Sequence, residues 1–102
     1  MNSDIYSRII NCAKVANTSI GDVLLKAQEE LGEIAAEQLK IEGIKPCLIG
    51  EKPVENRLEE SCDLLLVALD LALRQAPKEL IEEILTSKLQ KWESYVLNNY
   101  TR

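Results

Sequence analysis

From Cys62 to Leu73 the chain reads CDLLLVALDLAL, and only Asp63 and Asp70 in that stretch are not apolar. If the stretch is a helix, leucines emerge on every side of it. A helix apolar all round is normally buried. The longest uninterrupted apolar run, Leu64 to Leu69, is far too short to span a bilayer, so the cover must be protein. The chain has 102 residues, which fits one domain over 1–102, and its 46% hydrophobic content is enough for a core. A domain this small buries a modest share of its surface, so oligomerisation would help it. There is no Phe and aromatic content is 4%. The core must be built from Leu, Ile, Val and Ala, which favours packed helices over a sheet.

Local signals divide the chain into four helices with short connections. Ser3 is placed to cap a first helix whose apolar face is Ile5, Ile9, Ile10 and Ala13. Asn17-Thr18 interrupts that pattern. Ser19-Ile20-Gly21-Asp22 matches a capping box and predicts a second helix from about Ile20 to Ile41, ending before Gly43. Gly43, Pro46 and Gly50 predict a loop to about Glu51, with an extended turn at Cys47-Leu48-Ile49. Pro53 suits the first turn of a third helix running to about Gln75. Pro77 opens a fourth, with Leu80, Ile81, Ile84, Leu85, Leu89, Trp92 and Val96 as its apolar positions and fraying expected from Asn98 to Arg102.

Charge and residue usage exclude several chemistries. The net charge of -5 disfavours a nucleic-acid partner, because an acidic surface repels phosphate backbones. With no histidine, triads, imidazole metal ligands and imidazole bases are all excluded. Cys12, Cys47 and Cys62 form no CxxC pair and read as reduced thiols of a cytoplasmic protein. The N-terminal residues carry no signal-peptide pattern, and no membrane attachment is expected.

Carboxylates remain as the chemical resource. On a wheel at about 100° per residue, Val23, Leu24, Ala27, Leu31, Ile34 and Ala35 form a broad apolar face on the second helix. Glu30 lies at its edge, roughly 20° from Val23. Lys26, Glu30, Glu33 and Glu37 share the adjoining stripe. Glu30 and Glu33 are three residues apart, so both can converge on one cation. Glu60 and Asp63 repeat that spacing on the third helix. An unpaired Asp63 in so apolar a helix would be costly, and no basic residue lies within one turn on its C-terminal side. Carboxylate oxygens suit a hard cation, Mg²⁺ or Mn²⁺. Two helices with facing acidic pairs form an oxygen cage that suits phosphoryl-transfer chemistry. The plainer readings are a solvated acidic face for the first pair, helix-dipole enrichment for the second, and a Lys or Arg partner for Asp70.

Glu29-Glu30-Leu31-Gly32-Glu33 is EExxE, and Glu60-Ser61-Cys62-Asp63 is ExxD, with residues 34 to 59 between them. This ordered pair, in the surroundings KAQEELGEIAAEQ, resembles the MazG family of all-α nucleoside triphosphate pyrophosphohydrolases. The resemblance covers about Asp22 to Arg74. It implies an all-α fold, a four-helix chain assembling into an oligomeric helical bundle as a homodimer or homotetramer. It implies cleavage of a nucleoside triphosphate between its α and β phosphates, giving the monophosphate and pyrophosphate through metal-activated water. It implies Mg²⁺ held by Glu30, Glu33, Glu60 and Asp63, with Glu29 in a supporting or water-orienting role. Many members carry a Lys-x-x-Lys-Asn-x-x-Arg-like string on the last helix. Here Lys88 and Lys91 keep the lysines, while Trp92 and Tyr95 stand where Asn and Arg would fall. Lys26, Lys88, Lys91 and Trp92 are the candidate substrate contacts. Within the same fold, a phosphoribosyl-ATP pyrophosphatase or a dimeric dUTPase is an alternative. Outside it, the alternative is a non-catalytic oligomerisation or regulatory module whose carboxylates pair with lysines.

Overall fold

The computed structural model describes residues 3–100, and the side chain of Ser3 lies outside the description, so its expected capping role does too. Four helices follow one another: α1 (Ser3–Ala16), α2 (Ile20–Ile41), α3 (Pro53–Leu73) and α4 (Lys78–Tyr100). No strand occurs among the described residues. None of the helices is long and apolar enough to cross a membrane.

The boundaries have local chemical causes. α1 ends at Asn17, whose φ of 52° places it in the left-handed region that Asn tolerates. At the start of α2 the capping box forms in both directions. The Asp22 amide donates to Ser19 Oγ at 3.1 Å, and the Ser19 amide donates to Asp22 Oδ2 at 2.9 Å. These bonds hold the Asp22 carboxyl below its ordinary range. Ser19→Ala removes one half of the box and is expected to cost about 1 kcal/mol in urea unfolding. α2 closes with a Schellman motif around Gly43, at φ 75°. The Ile44 amide donates to Leu39 O and the Gly43 amide to Lys40 O. Gly50, at φ 91°, allows the turn in which the Glu51 amide donates to Leu48 O. Pro53 sits in the first turn of α3, and Pro77 O accepts from Leu80 and Ile81 at the start of α4.

Two boundaries differ from expectation. α3 stops at Leu73 rather than Gln75, where the chain begins the turn toward Pro77. α4 is helical as far as Tyr100, past the Asn98 where fraying was expected to begin, and Asn99 Nδ2 donates back to Tyr95 O at 2.7 Å; the last two positions of that expectation, 101 and 102, lie outside the described residues.

α2 and α3 form an antiparallel hairpin. At its loop end Lys40 pairs with Glu51, and Arg57 donates to Gln38 Oε1. At its open end Arg74 binds Asp70 through Nε at 2.8 Å and reaches Thr18 beyond the other helix. Asp70 thus has a basic partner, as expected, and of lysine or arginine it is the arginine Arg74. α1 lies against α3, and α4 touches α3 only sparsely. Tyr6 ties α1 to α4: its buried ring places the hydroxyl to donate to the Glu82 carboxylate, which raises its pKa. Nothing in the sequence had singled out Tyr6.

The expected burial of α3 is not reached within one chain. Leu69 is its only buried residue, while Leu58, Cys62 and Leu65 on one face are exposed. Among the described residues the buried apolar side chains are Tyr6, Val23, Leu69 and Ile81 alone. The radius of gyration is 17.1 Å, against about 13 Å for a compact domain of this length. α2 also departs from the wheel reading. Val23 and Glu30 are buried and Ile34 is half-buried, whereas Leu24 and Leu31, at the far side of the apolar arc, are 49% and 59% exposed. Periodicity marks a face as coverable but does not identify the surface that covers it.

Candidate metal centre

The capping box and the Schellman motif fix the two ends of α2, and the hairpin sets its middle against the middle of α3. Glu30 lies within the helix–helix contact and is 4% exposed. One carboxylate oxygen of Glu30 and one each of Glu60 and Asp63, across from it on α3, lie within 4.8 Å of one another. Oε2 of Glu30 and Oε2 of Glu60 are buried without a hydrogen-bond partner. Glu33 borders the group beside both Glu60 and Glu30. The expected acidic pairs therefore meet across the hairpin. They do so with Glu30 at the centre and Glu33 at the side.

The sequence places Asp63 in an apolar helix, where burial is expected and an unpaired carboxylate would be costly. It is exposed, because the side of α3 that carries it is open in a single chain. The buried carboxylate with an unanswered oxygen is Glu30.

Lys26 is the cation at the site. Its Nζ lies 3.1 Å from Glu30 Oε1 and 3.3 Å from Glu29 Oε1. The pairing with Glu30, then with Glu29, raises the lysine pKa, and the same ammonium holds Glu30 below its ordinary value. Glu29 is exposed and turned to Lys26 rather than to α3. Farther along the stripe, Glu37 meets Lys40 through Oε1 and leaves Oε2 buried and unpartnered. Lys88, Lys91 and Trp92 are exposed on α4. No hydrogen bond or ion pair among the described residues joins them to the carboxylates within one chain. Two clefts, of about 510 and about 220 Å³, flank α1 and are lined by residues such as Ile9, Cys12, Leu66, Ile10 and Leu73; the four carboxylates line neither.

The electrostatics follow from crowding. The Glu33 carboxylate, then that of Glu30, then burial push the Glu60 carboxyl from 4.5 up to about 7. Adjacent carboxylates favour keeping a proton over adding another charge. Between those two values the folded, metal-free protein holds a proton that the unfolded chain has released, so stability falls as pH rises. The contribution is fully present below about 4.5 and is lost as pH rises through about 7. Glu60→Gln cannot titrate, so its melting temperature relative to the unsubstituted protein should climb across that window in metal-free buffer.

A hard divalent cation fits this donor set. The candidate donors are all carboxylate oxygens, two buried ones lack a hydrogen-bond partner, and the carboxyls crowd closely enough that Glu60 keeps its proton up to about 7. Comparison with protein-family models, with curated proteins and with solved structures finds no match to this chain.

Proposed function

We propose that the chain is a Mg²⁺-dependent nucleoside triphosphate pyrophosphohydrolase of the MazG-like kind, cleaving between the α and β phosphates. The observation that carries this reading is the convergence of Glu30, Glu60 and Asp63, with a buried Glu30 oxygen left without a partner. Glu30, Glu60 and Asp63 would hold the ion, and Glu33 would complete the set. When bound, a divalent ion supplies charge stabilisation for phosphoryl oxygens and lowers the pKa of water. The chain's own residues have separate tasks. Glu30 is fixed by the hairpin and anchors the site, while Asp63 offers an exposed ligand from the opposite helix. Glu29 holds Lys26 at the rim, where an ammonium favours phosphate oxygens. The experiment is a panel of nucleoside triphosphates with and without Mg²⁺, read by pyrophosphate release.

The working form in this reading is a homodimer or homotetramer. Leu24, Leu31, Leu65, Leu85, Leu89 and Trp92 are all exposed in one chain. A second copy would cover them and supply the wall that the carboxylates lack. It would also provide a route for Lys88, Lys91 and Trp92 to reach a site. A second reading, a non-catalytic oligomerisation module, is favoured by the ion pairs that Lys26 and Lys40 make with the acidic stripe. It predicts no pyrophosphate from any triphosphate.

A further inference from the structure

Four carboxylates, Glu30, Glu33, Glu60 and Asp63, gather where α2 meets α3, and one of them, Glu30, pairs with the ammonium of Lys26. The two are unequal in mobility. Glu30 has a side chain 5% exposed and is held by the packing of the hairpin, whereas Lys26 is 51% exposed on a flexible stem. Lys26 occupies only Oε1 of Glu30, while Oε2 of Glu30 and of Glu60 stay buried and unanswered. One ammonium at 3.1 Å therefore leaves the site under-neutralised. A divalent ion among Glu30, Glu60 and Asp63 would satisfy those oxygens, but it would stand next to a second positive charge. Like charges at such separations disfavour each other strongly. Lys26 already shares its ammonium with Glu29, 57% exposed at 3.3 Å on the same helix, so it can release Glu30 and still keep a partner.

We infer that Lys26 is a built-in counter-ion of the acidic site that a divalent cation displaces from Glu30, so that metal entry and release of Lys26 to the rim are one exchange. This rests on the reading of the carboxylates as a cation site. It adds that the lysine lowers metal affinity, guards the metal-free fold against repulsion among the carboxylates, and becomes free for an anionic ligand only once the ion is in place.

The test uses metal alone, without nucleotide. Calorimetric titration with Mn²⁺ is expected to show about tenfold tighter binding to Lys26→Met than to the unsubstituted protein. Asp63→Asn should weaken Mn²⁺ binding to both, which locates the ion. In the unsubstituted protein with labelled lysines, the Lys26 ammonium resonance should shift with Mg²⁺ along the same saturation curve as metal binding. This second measurement decides the matter if Lys26→Met does not fold. Mn²⁺ binding that is unchanged or weaker in Lys26→Met, or a Lys26 resonance indifferent to saturating Mg²⁺, overturns the exchange and leaves the cation site standing. No Mn²⁺ binding by the unsubstituted protein overturns both.

Discussion

Asp63→Asn is expected to abolish Mg²⁺-dependent pyrophosphate release while leaving the protein folded. The substitution keeps shape and removes one charge at an exposed position, so little packing is disturbed. Its expected cost to turnover exceeds about 100-fold, since changes even to residues behind metal ligands reach that size. Stability without metal should stay the same or rise, because one of the crowded carboxylates is gone. The pairing of outcomes is what discriminates. Raised stability with intact turnover would mean that Asp63 merely adds charge to an acidic patch. Glu33→Ala should likewise remove activity, since Glu33 borders both Glu60 and Glu30.

Leu31→Ala is the second large effect. In one chain Leu31 is 59% exposed. A leucine truncated on a free surface changes stability by no more than about 0.5 kcal/mol. Buried in an interface between copies, the same truncation should cost about 2–5 kcal/mol. Denaturation at several protein concentrations, together with sedimentation, separates the two. The expected result is a midpoint that rises with concentration in the unsubstituted protein and drops sharply in Leu31→Ala. A concentration-independent midpoint and a monomeric sedimentation value would remove the oligomer from the account. The radius of gyration of 17.1 Å and the presence of four buried apolar side chains among the described residues are the observations behind the expectation of a second copy.

What the sequence disclosed and what it hid divide along physical lines. Helix ends were legible because their causes are local. Ser19 and Asp22 close a capping box within four residues, Gly43 supplies the left-handed conformation a Schellman motif needs, and Pro53 and Pro77 sit where a missing amide does no harm. The convergence of Glu30 with Glu60 and Asp63 was also legible, since matched spacings on two helices of a hairpin bring such pairs together. The facing of α2 was not. An apolar arc reports the sum of everything that covers a helix, inside the chain and between chains. Its centre therefore missed the line of contact with α3, and Glu30 rather than Asp63 proved to be the buried carboxylate. Tyr6 was invisible for a related reason. Its role depends on Glu82, far away in sequence, and only the fold brings α4 to it. The pairing of Lys26 with both Glu29 and Glu30 lies within one helical turn and was accessible in principle from its i+3 and i+4 spacings.

The central claim is that the carboxylates between α2 and α3 form a metal site for splitting nucleoside triphosphates. The most direct measurement is pyrophosphate release from a full panel of ribo- and deoxyribonucleoside triphosphates, with Mg²⁺ and with chelator, run in parallel on the unsubstituted protein and on Asp63→Asn. The expected result is pyrophosphate and the matching monophosphate from at least one member of the panel, only with Mg²⁺, and none above background from Asp63→Asn. No pyrophosphate from any triphosphate, or release that persists in chelator or in Asp63→Asn, would contradict it.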